Sequence, residues 1–251
     1  MLVILHGLFG SSDNWHTLAR RWAEEMRVYV PDLRNHGHSP HTADFSYEAM
    51  AADVQAWMAA EGLDQAFFLG HSMGGKVAMW LALHDPERVS GLVVADIAPV
   101  GYGDEHNLMH AAVFRAFEVL DPATLRRRSE GEAVLRSVVP SAAVRQFLLK
   151  NLERTPEGTY RWKPNWRVLK ARYAEILKPV DGPPYPGPTL FLKGERSPYI
   201  RPEDEAEIRR LFPQARIVTV PGAGHWVHAD RPDFVYEAVQ DFIRKAPPAA
   251  S

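Results

Sequence analysis

The chain has 251 residues, 46% hydrophobic and 24% charged, enough apolar side chains for one α/β domain with an insertion or for two small domains. A formal net charge of −2 gives no basic signature for nucleic acid or an anionic membrane, and the absence of cysteine excludes disulfides, thiolate metal sites and a cysteine nucleophile. The apolar opening Met1–Leu5 is too short for a signal peptide or a membrane span, so a cytoplasmic enzyme is expected, monomer or homodimer, with no nucleic-acid partner and no stable membrane insertion.

Met1–Leu5 reads as a buried strand and ends in the glycine-bearing loop His6-Gly7-Leu8-Phe9-Gly10-Ser11-Ser12. Asp13 or Asn14 is placed to cap a helix from Trp15 to Glu25. Val28-Tyr29-Val30 is the next strand and runs into a long polar loop, Pro31 to Pro40, where Asp32 and Arg34 read as a bracing ion pair. Ser46 is positioned to cap a helix lasting to about Ala60. Ala66-Phe67-Phe68-Leu69 is a strand, Lys76–His84 a helix, and Gly91–Ala95 a strand that stops at Asp96. Strands and helices alternating with short connections mean βαβ units and a parallel sheet covered on both faces. The chain opens directly on a sheet strand, so a sheet of about six strands is expected unless the start codon was placed too late.

From 102 to 186 the alternation breaks. The stretch reads as helical, with candidate helices at Asn107–Leu120, Pro122–Val139, Ser141–Arg154 and Asn165–Leu177 and no buried strand. It carries 14 Lys+Arg against 10 Asp+Glu, whereas the remainder is net acidic. It is expected to be an inserted helical cap over a core made of 1–101 and 187–251. After a proline-rich hinge, Thr189–Leu192 and Ala215–Val220 are strands, Pro202–Leu211 and Pro232–Lys245 helices, with Asp230 as the last cap and a frayed tail from Ala246 to Ser251.

Gly70-His71-Ser72-Met73-Gly74 lies on a strand-to-helix turn, the setting in which a serine projects as a nucleophile above a sheet. A serine hydroxyl needs an adjacent base. Of eleven histidines His225 is the best placed, in a Gly-x-Gly-His loop just after the last strand. The acid that orients it is expected to be Asp96, the first polar residue beyond Val93-Val94-Ala95. The commoner position, after the strand that follows the insertion, holds Ser197 instead of an aspartate, and Glu195 comes too early in that turn. Ser197 is therefore an assisting hydrogen-bonding group. The oxyanion donors are expected to be the backbone N–H groups of Met73 and Leu8, with Phe9 as second choice.

His6 reads as a structural loop residue and His71 as a local packing or capping group; His36, His38 and His41 read as a solvated loop, since no carboxylate or second cluster completes a metal site. No metal or cofactor is expected. Of the apolar residues Met109, Phe114, Phe117, Phe147, Leu148, Tyr160, Trp162 and Trp166, most should be core of the insertion and some should line an acyl pocket. Phe9, Phe114 and Trp162 are the expected substrate contacts.

These segments together resemble the α/β-hydrolase superfamily and, within it, the branch of bacterial esterases of the YbfF type. The resemblance covers nearly the whole chain. It rests on His6–Ser11, Asp32–Gly37, Gly70–Lys76, Asp96-Ile97-Ala98-Pro99-Val100, Ser197-Pro198-Tyr199 and Gly222–Ala229. It implies an α/β-hydrolase fold, with the aspartate of Asp-Ile-Ala-Pro as the acid and the serine before Pro-Tyr assisting. The implied activity is hydrolysis of small-molecule carboxyl esters or thioesters of fatty acyl groups. The competing readings are hydrolysis or lysis of a C–C bond on the same three residues, and a ligand-binding homologue without catalysis.

Overall fold

Successive side chains of a strand point to opposite faces of its sheet, and the strands here divide their apolar residues accordingly. Val3, Leu5, Phe68, Leu92, Val94 and Phe191 belong to one core. Leu2, Ile4, Leu69, Val93, Leu190 and Leu192 belong to the other. A sheet that is apolar on both faces must be covered on both, which is the condition that crossover helices satisfy.

A computed structural model of the chain describes residues 1–103 and 107–246. The order is β1 (Leu2–Leu5), α1 (His16–Trp22), β2 (Val28–Tyr29), α2 (Tyr47–Ala60), β3 (Ala66–His71), α3 (Met73–His84) and β4 (Val89–Ala95). An inserted segment follows, with α4 (Asn107–Val119), α5 (Arg128–Leu135), α6 (Ala142–Leu149), β5 (Leu152–Arg154), β6 (Tyr160–Trp162), α7 (Trp166–Ala171) and α8 (Tyr173–Leu177). The chain then returns through β7 (Thr189–Gly194), α9 (Glu205–Leu211), β8 (Ala215–Val220), α10 (Val227–Asp230) and α11 (Pro232–Lys245). Six parallel strands pair in the order β2-β1-β3-β4-β7-β8. The order reverses between β1 and β3, so the loops leaving these two strands diverge and open a crevice at the carboxyl edge.

The core that holds Leu2 and Ile4 also takes Trp15, Leu18, Trp22, Val235, Val239 and Phe242, from α1, α11 and the turn before α1. The opposite core takes residues of α2 and α3 and runs without a break into Phe114, Phe117, Leu148 and Leu169 of the inserted segment. That segment differs from its sequence reading. It is a set of short helices interrupted by an antiparallel hairpin, Leu152↔Trp162 to Arg154↔Tyr160. The expected helix Ser141–Arg154 stops at Leu149, and Leu152–Arg154 is instead a strand of this hairpin, whose turn is closed by Thr155 N–H donating to the Thr159 carbonyl. Pro122–Thr124 is a separate 3-10 turn, so the expected helix from Pro122 begins only at Arg128. Apart from Ala246, the expected frayed tail lies outside the described residues. Among the described residues no helix is long and apolar enough to cross a membrane.

Two local expectations are corrected. Arg34 pairs with Asp53 and Asp44 and not with Asp32. Asp32 instead accepts the backbone N–H groups of Ser12 (2.7 Å) and His38 (2.9 Å), joining the loops after β1 and β2. Burial works against that carboxylate, but the two amides hold its pKa below the ordinary value. Asp230 does not cap α11, whose N-cap is Arg231. Its carboxylate accepts the Gly224 N–H at 2.8 Å and so fixes the turn before His225.

Candidate active site

The sheet ladder continues one residue past the strand ends and delivers the site. His71 of β3 lies opposite Ala95 of β4, and Ala95 opposite Leu192 of β7. Ser72 N–H then donates to the Ala95 carbonyl (3.1 Å) and Asp96 N–H to the Leu192 carbonyl (2.8 Å). Both residues sit at positive φ, 52° for Ser72 and 55° for Asp96. Such backbone costs roughly 1–3 kcal/mol per residue and persists only where the surroundings over-determine it. Two glycines make room for the turn at Ser72. A Cβ on Gly70 would lie 2.3 Å from the Gly74 carbonyl oxygen, and one on Gly74 would lie 2.3 Å from the Leu5 carbonyl oxygen. Strand, turn and helix therefore pass at backbone contact distance.

The three expected side chains meet. His225 Nε2 is 3.0 Å from Ser72 Oγ, and its Nδ1 is 2.8 Å from Asp96 Oδ2. Asp96 is wholly buried and its other oxygen accepts the Gly194 N–H at 2.8 Å. The Ser197 hydroxyl donates to Asp96 Oδ2 and accepts the Tyr199 N–H at 3.3 Å. A carboxylate held in this way favours the imidazole tautomer with its proton on Nδ1, leaving Nε2 to accept from the serine. Glu195 is exposed and turned away, accepting the Gly222 N–H at 2.7 Å.

The backbone amides expected to serve as oxyanion donors can be placed as well. Met73 opens α3, so its N–H has no partner within the helix and carries the positive end of the helix dipole. In the loop after β1, Phe9 N–H is committed to His36 Nε2 at 3.1 Å, which removes it as an oxyanion donor. Among the described residues the Leu8 N–H has no partner within the chain. Two unengaged amides thus flank Ser72, one from each side of the crevice.

A model of the alpha/beta hydrolase family matches residues 2–238 of the chain. The chain belongs to the α/β-hydrolase family. It is 45% identical over 247 residues to the mouse sn-1-specific diacylglycerol lipase ABHD11, covering 96% of this chain and 80% of that protein. It is 38% identical over 242 residues to the esterase YbfF of Escherichia coli K12, covering 96% and 92%. Among solved structures a marine microorganism esterase superposes with a TM-score of 0.94 at 42% identity, covering 96% of this chain and 94% of that one. This α/β-hydrolase is an ester-hydrolysing enzyme of the esterase/lipase type.

Four buried histidines brace the hydrolase's loops. His6 Nδ1 pairs with the Gly7 carbonyl (2.9 Å) while its Nε2 accepts the Leu33 N–H (3.0 Å). His36 donates from Nδ1 to the Arg34 carbonyl (2.9 Å) and accepts from Phe9. His36 is therefore not part of a solvated loop, as the sequence suggested; it is fully buried. Phe9, at φ 59°, has its carbonyl held as well, by Asn151 Nδ2 of the inserted segment at 2.8 Å. His71 Nε2 donates to the His225 carbonyl at 2.9 Å, and His228 stacks on Trp15 with centroids 4.2 Å apart. Burial pushes the pKa of His36 and His228 down to about 3 and lowers those of His6 and His71, so all four stay neutral at neutral pH. Tyr199 stacks on the His225 ring at 3.9 Å. Sequence reasoning did not single out Tyr199 or His36 as supports; their only signal was their place in the Ser-Pro-Tyr and Arg-Asn-His-Gly segments.

A groove of about 240 Å³ opens from Ser72 between α4, α6 and the His225 loop. Phe9 lines it, as do Met109, Val113 and Phe147. The other two expected contacts do not. Phe114 lies one helical step round α4 and packs its edge on Phe9 (5.1 Å) and Tyr173 (5.3 Å). Trp162, in the hairpin, packs on Phe117 at 4.8 Å and lines a separate outer groove. The hairpin, which the sequence reading did not contain, is what carries Trp162 away.

Proposed function

We propose that this hydrolase cleaves small-molecule carboxyl esters, and thioesters of the same acyl groups, through an acyl-enzyme on Ser72, with His225 as base and Asp96 as its acid partner. The observation that carries this reading is the unbroken chain of contacts from Asp96 Oδ2 through His225 Nδ1 and Nε2 to Ser72 Oγ, at 2.8 and 3.0 Å. His225 takes the Ser72 proton as Oγ attacks the acyl carbon. The imidazolium so formed is stabilised by the buried Asp96 carboxylate, which also accepts from Gly194 and Ser197. The Leu8 and Met73 N–H groups bind the oxyanion, each contributing on the order of 3 kcal/mol to the transition state. His225 then protonates the leaving oxygen or sulfur, and water attacks the acyl-enzyme by the reverse route.

The reading needs no metal or cofactor. Fatty acyl groups match the apolar character of the site; how long a chain it takes is a separate matter of the room beside Ser72. Turnover of p-nitrophenyl butyrate by the wild type and by Ser72→Ala tests the proposal. The variant should lose roughly 10⁴-fold or more in kcat/KM, as when the nucleophile of a serine-histidine pair is removed. Equal rates would overturn it.

A further inference from the structure

Ser72 faces two spaces and not one. Besides the groove there is a smaller chamber of about 30 Å³ beside Ser72, lined by Leu8, Met73, Ile97, Ile176 and Leu177 among others. Leu8 and His110 line both spaces and form the partition between them. His225 and Trp226 line the groove and are not among the chamber's walls, while Met73 lines the chamber and not the groove.

This asymmetry orients an ester. At the tetrahedral stage the former carbonyl carbon carries Ser72 Oγ, the oxyanion, the acyl chain and the leaving oxygen. The oxyanion is fixed by the two amides. The leaving oxygen must lie against His225 Nε2, because the proton taken from Ser72 is handed to it as the C–O bond breaks. The alcohol or thiol therefore departs along the groove. The acyl chain has the chamber left to it.

The chamber's end wall is braced. The Tyr47 hydroxyl donates to the Ile176 carbonyl (2.6 Å) and the Tyr102 hydroxyl to the Tyr199 carbonyl (2.6 Å). Behind them Lys76 Nζ, 4.7 Å from the Tyr102 ring centre, donates to the carbonyls of Val100 (2.7 Å) and Lys178 (2.6 Å), the two points where chain enters and leaves the inserted segment. The backbone that carries Ile176 and Tyr199 is thus held by committed polar groups. One water-sized sphere needs roughly 10–15 Å³ of such space, so the chamber holds about two or three non-hydrogen atoms.

Building on the acyl-enzyme reading, we infer that this enzyme is selective for short acyl groups, acetyl to butyryl, carried on a bulky alcohol or thiol, and that Ile176 and Leu177 set the length limit. The fatty-acyl expectation from the sequence is thereby narrowed to its short end.

The test is a series of p-nitrophenyl esters, acetate, butyrate, hexanoate, octanoate and decanoate, on the whole protein. The wild type should favour acetate and butyrate over octanoate by about tenfold or more in kcat/KM, the scale on which one or two misfitting methylenes are rejected. Ile176→Ala should raise the octanoate-to-acetate ratio, and Leu177→Ala provides the same readout should the first variant fold poorly. Octyl acetate should be a better substrate than methyl octanoate, both releasing a primary alcohol of similar leaving ability. A flat or rising wild-type series, or preference for methyl octanoate, would overturn the inference while leaving the esterase reading intact. Loss of turnover on every ester would strike the esterase reading itself and this inference with it.

Discussion

The sheet and the segment inserted between β4 and β7 are held by different means. The sheet is fixed by backbone: strand ladders extended past their ends, glycines at contact distance, and, among the described residues, four residues other than glycine at positive φ, Phe9, Asn35, Ser72 and Asp96, all in loops at its carboxyl edge. The inserted segment shares an apolar core with one face of the sheet but is tied down by long polar reaches. Lys76 holds both of its connections, Asn151 reaches Phe9, and Asn165 N–H donates to the Asn35 carbonyl at 2.9 Å. Every group proposed to touch the reacting atoms comes from the sheet side. The inserted segment contributes walls. Substitutions on the sheet side should therefore change kcat, and those in the inserted segment should change selectivity or KM.

The largest effect that can break this division lies with the carboxylate. Asp96→Asn should lower kcat by about 10⁴-fold, because the amide removes the charge that stabilises the imidazolium and can favour the wrong tautomer. Glu195→Gln should stay near wild type, since its carboxylate accepts a loop amide at the surface. Steady-state kinetics on the two variants decide it. A collapse in Glu195→Gln with Asp96→Asn near wild type would move the acid to the other turn.

Much of this site is legible in the sequence. The glycines around Ser72, the strand before it and the helix after it specify the turn, and Asp96 is legible as the first polar residue after three apolar ones. What was not legible depends on contacts across long sequence distances. Whether Phe9 or Leu8 offers a free amide turns on His36, 27 residues away. Whether a tryptophan of the inserted segment reaches substrate turns on a hairpin. Its strands are three residues each, Leu152–Arg154 and Tyr160–Trp162, too short for alternation to distinguish from helix periodicity. The parallel sheet was readable because β1, β3, β4 and β7 are apolar runs of four to seven residues buried on both faces.

A smaller effect sharpens the contrast at Lys76. This ammonium is almost fully buried at the base of the inserted segment, and burial lowers its pKa to about 7 from an ordinary 10.5. Between those values the unfolded chain holds a proton that the folded protein has released. Stability therefore rises with pH through that window, by at most about 1.4 kcal/mol per unit, and is lower at and below neutrality. Lys76→Met should remove that part of the rise, which urea unfolding of both proteins at pH 7 and pH 9 would detect. It should also raise KM by a few-fold with little change in kcat, because two carbonyls at the connections lose their donor while Ser72, His225 and Asp96 keep theirs. An identical pH slope in both proteins would show that the lysine does not titrate in its buried place.

The smallest effect on turnover is expected where the sequence alone pointed to a substrate contact. Trp162 presses on Phe117, and its indole N–H donates to the Leu120 carbonyl at 3.3 Å, which ties the hairpin to the end of α4. Trp162→Ala removes a large, partly buried ring and should cost about 3 kcal/mol or less of stability, below the range for a fully buried aromatic. Because the ring lines the outer groove and not the one at Ser72, kcat/KM for p-nitrophenyl butyrate should stay within about twofold wherever the variant is folded. A melting curve and an activity assay on the same sample separate the two quantities. If activity fell tenfold with the melting temperature unchanged, the hairpin would have to reach the reacting ester. The assignment of all chemistry to the sheet side would then fail at its outermost point.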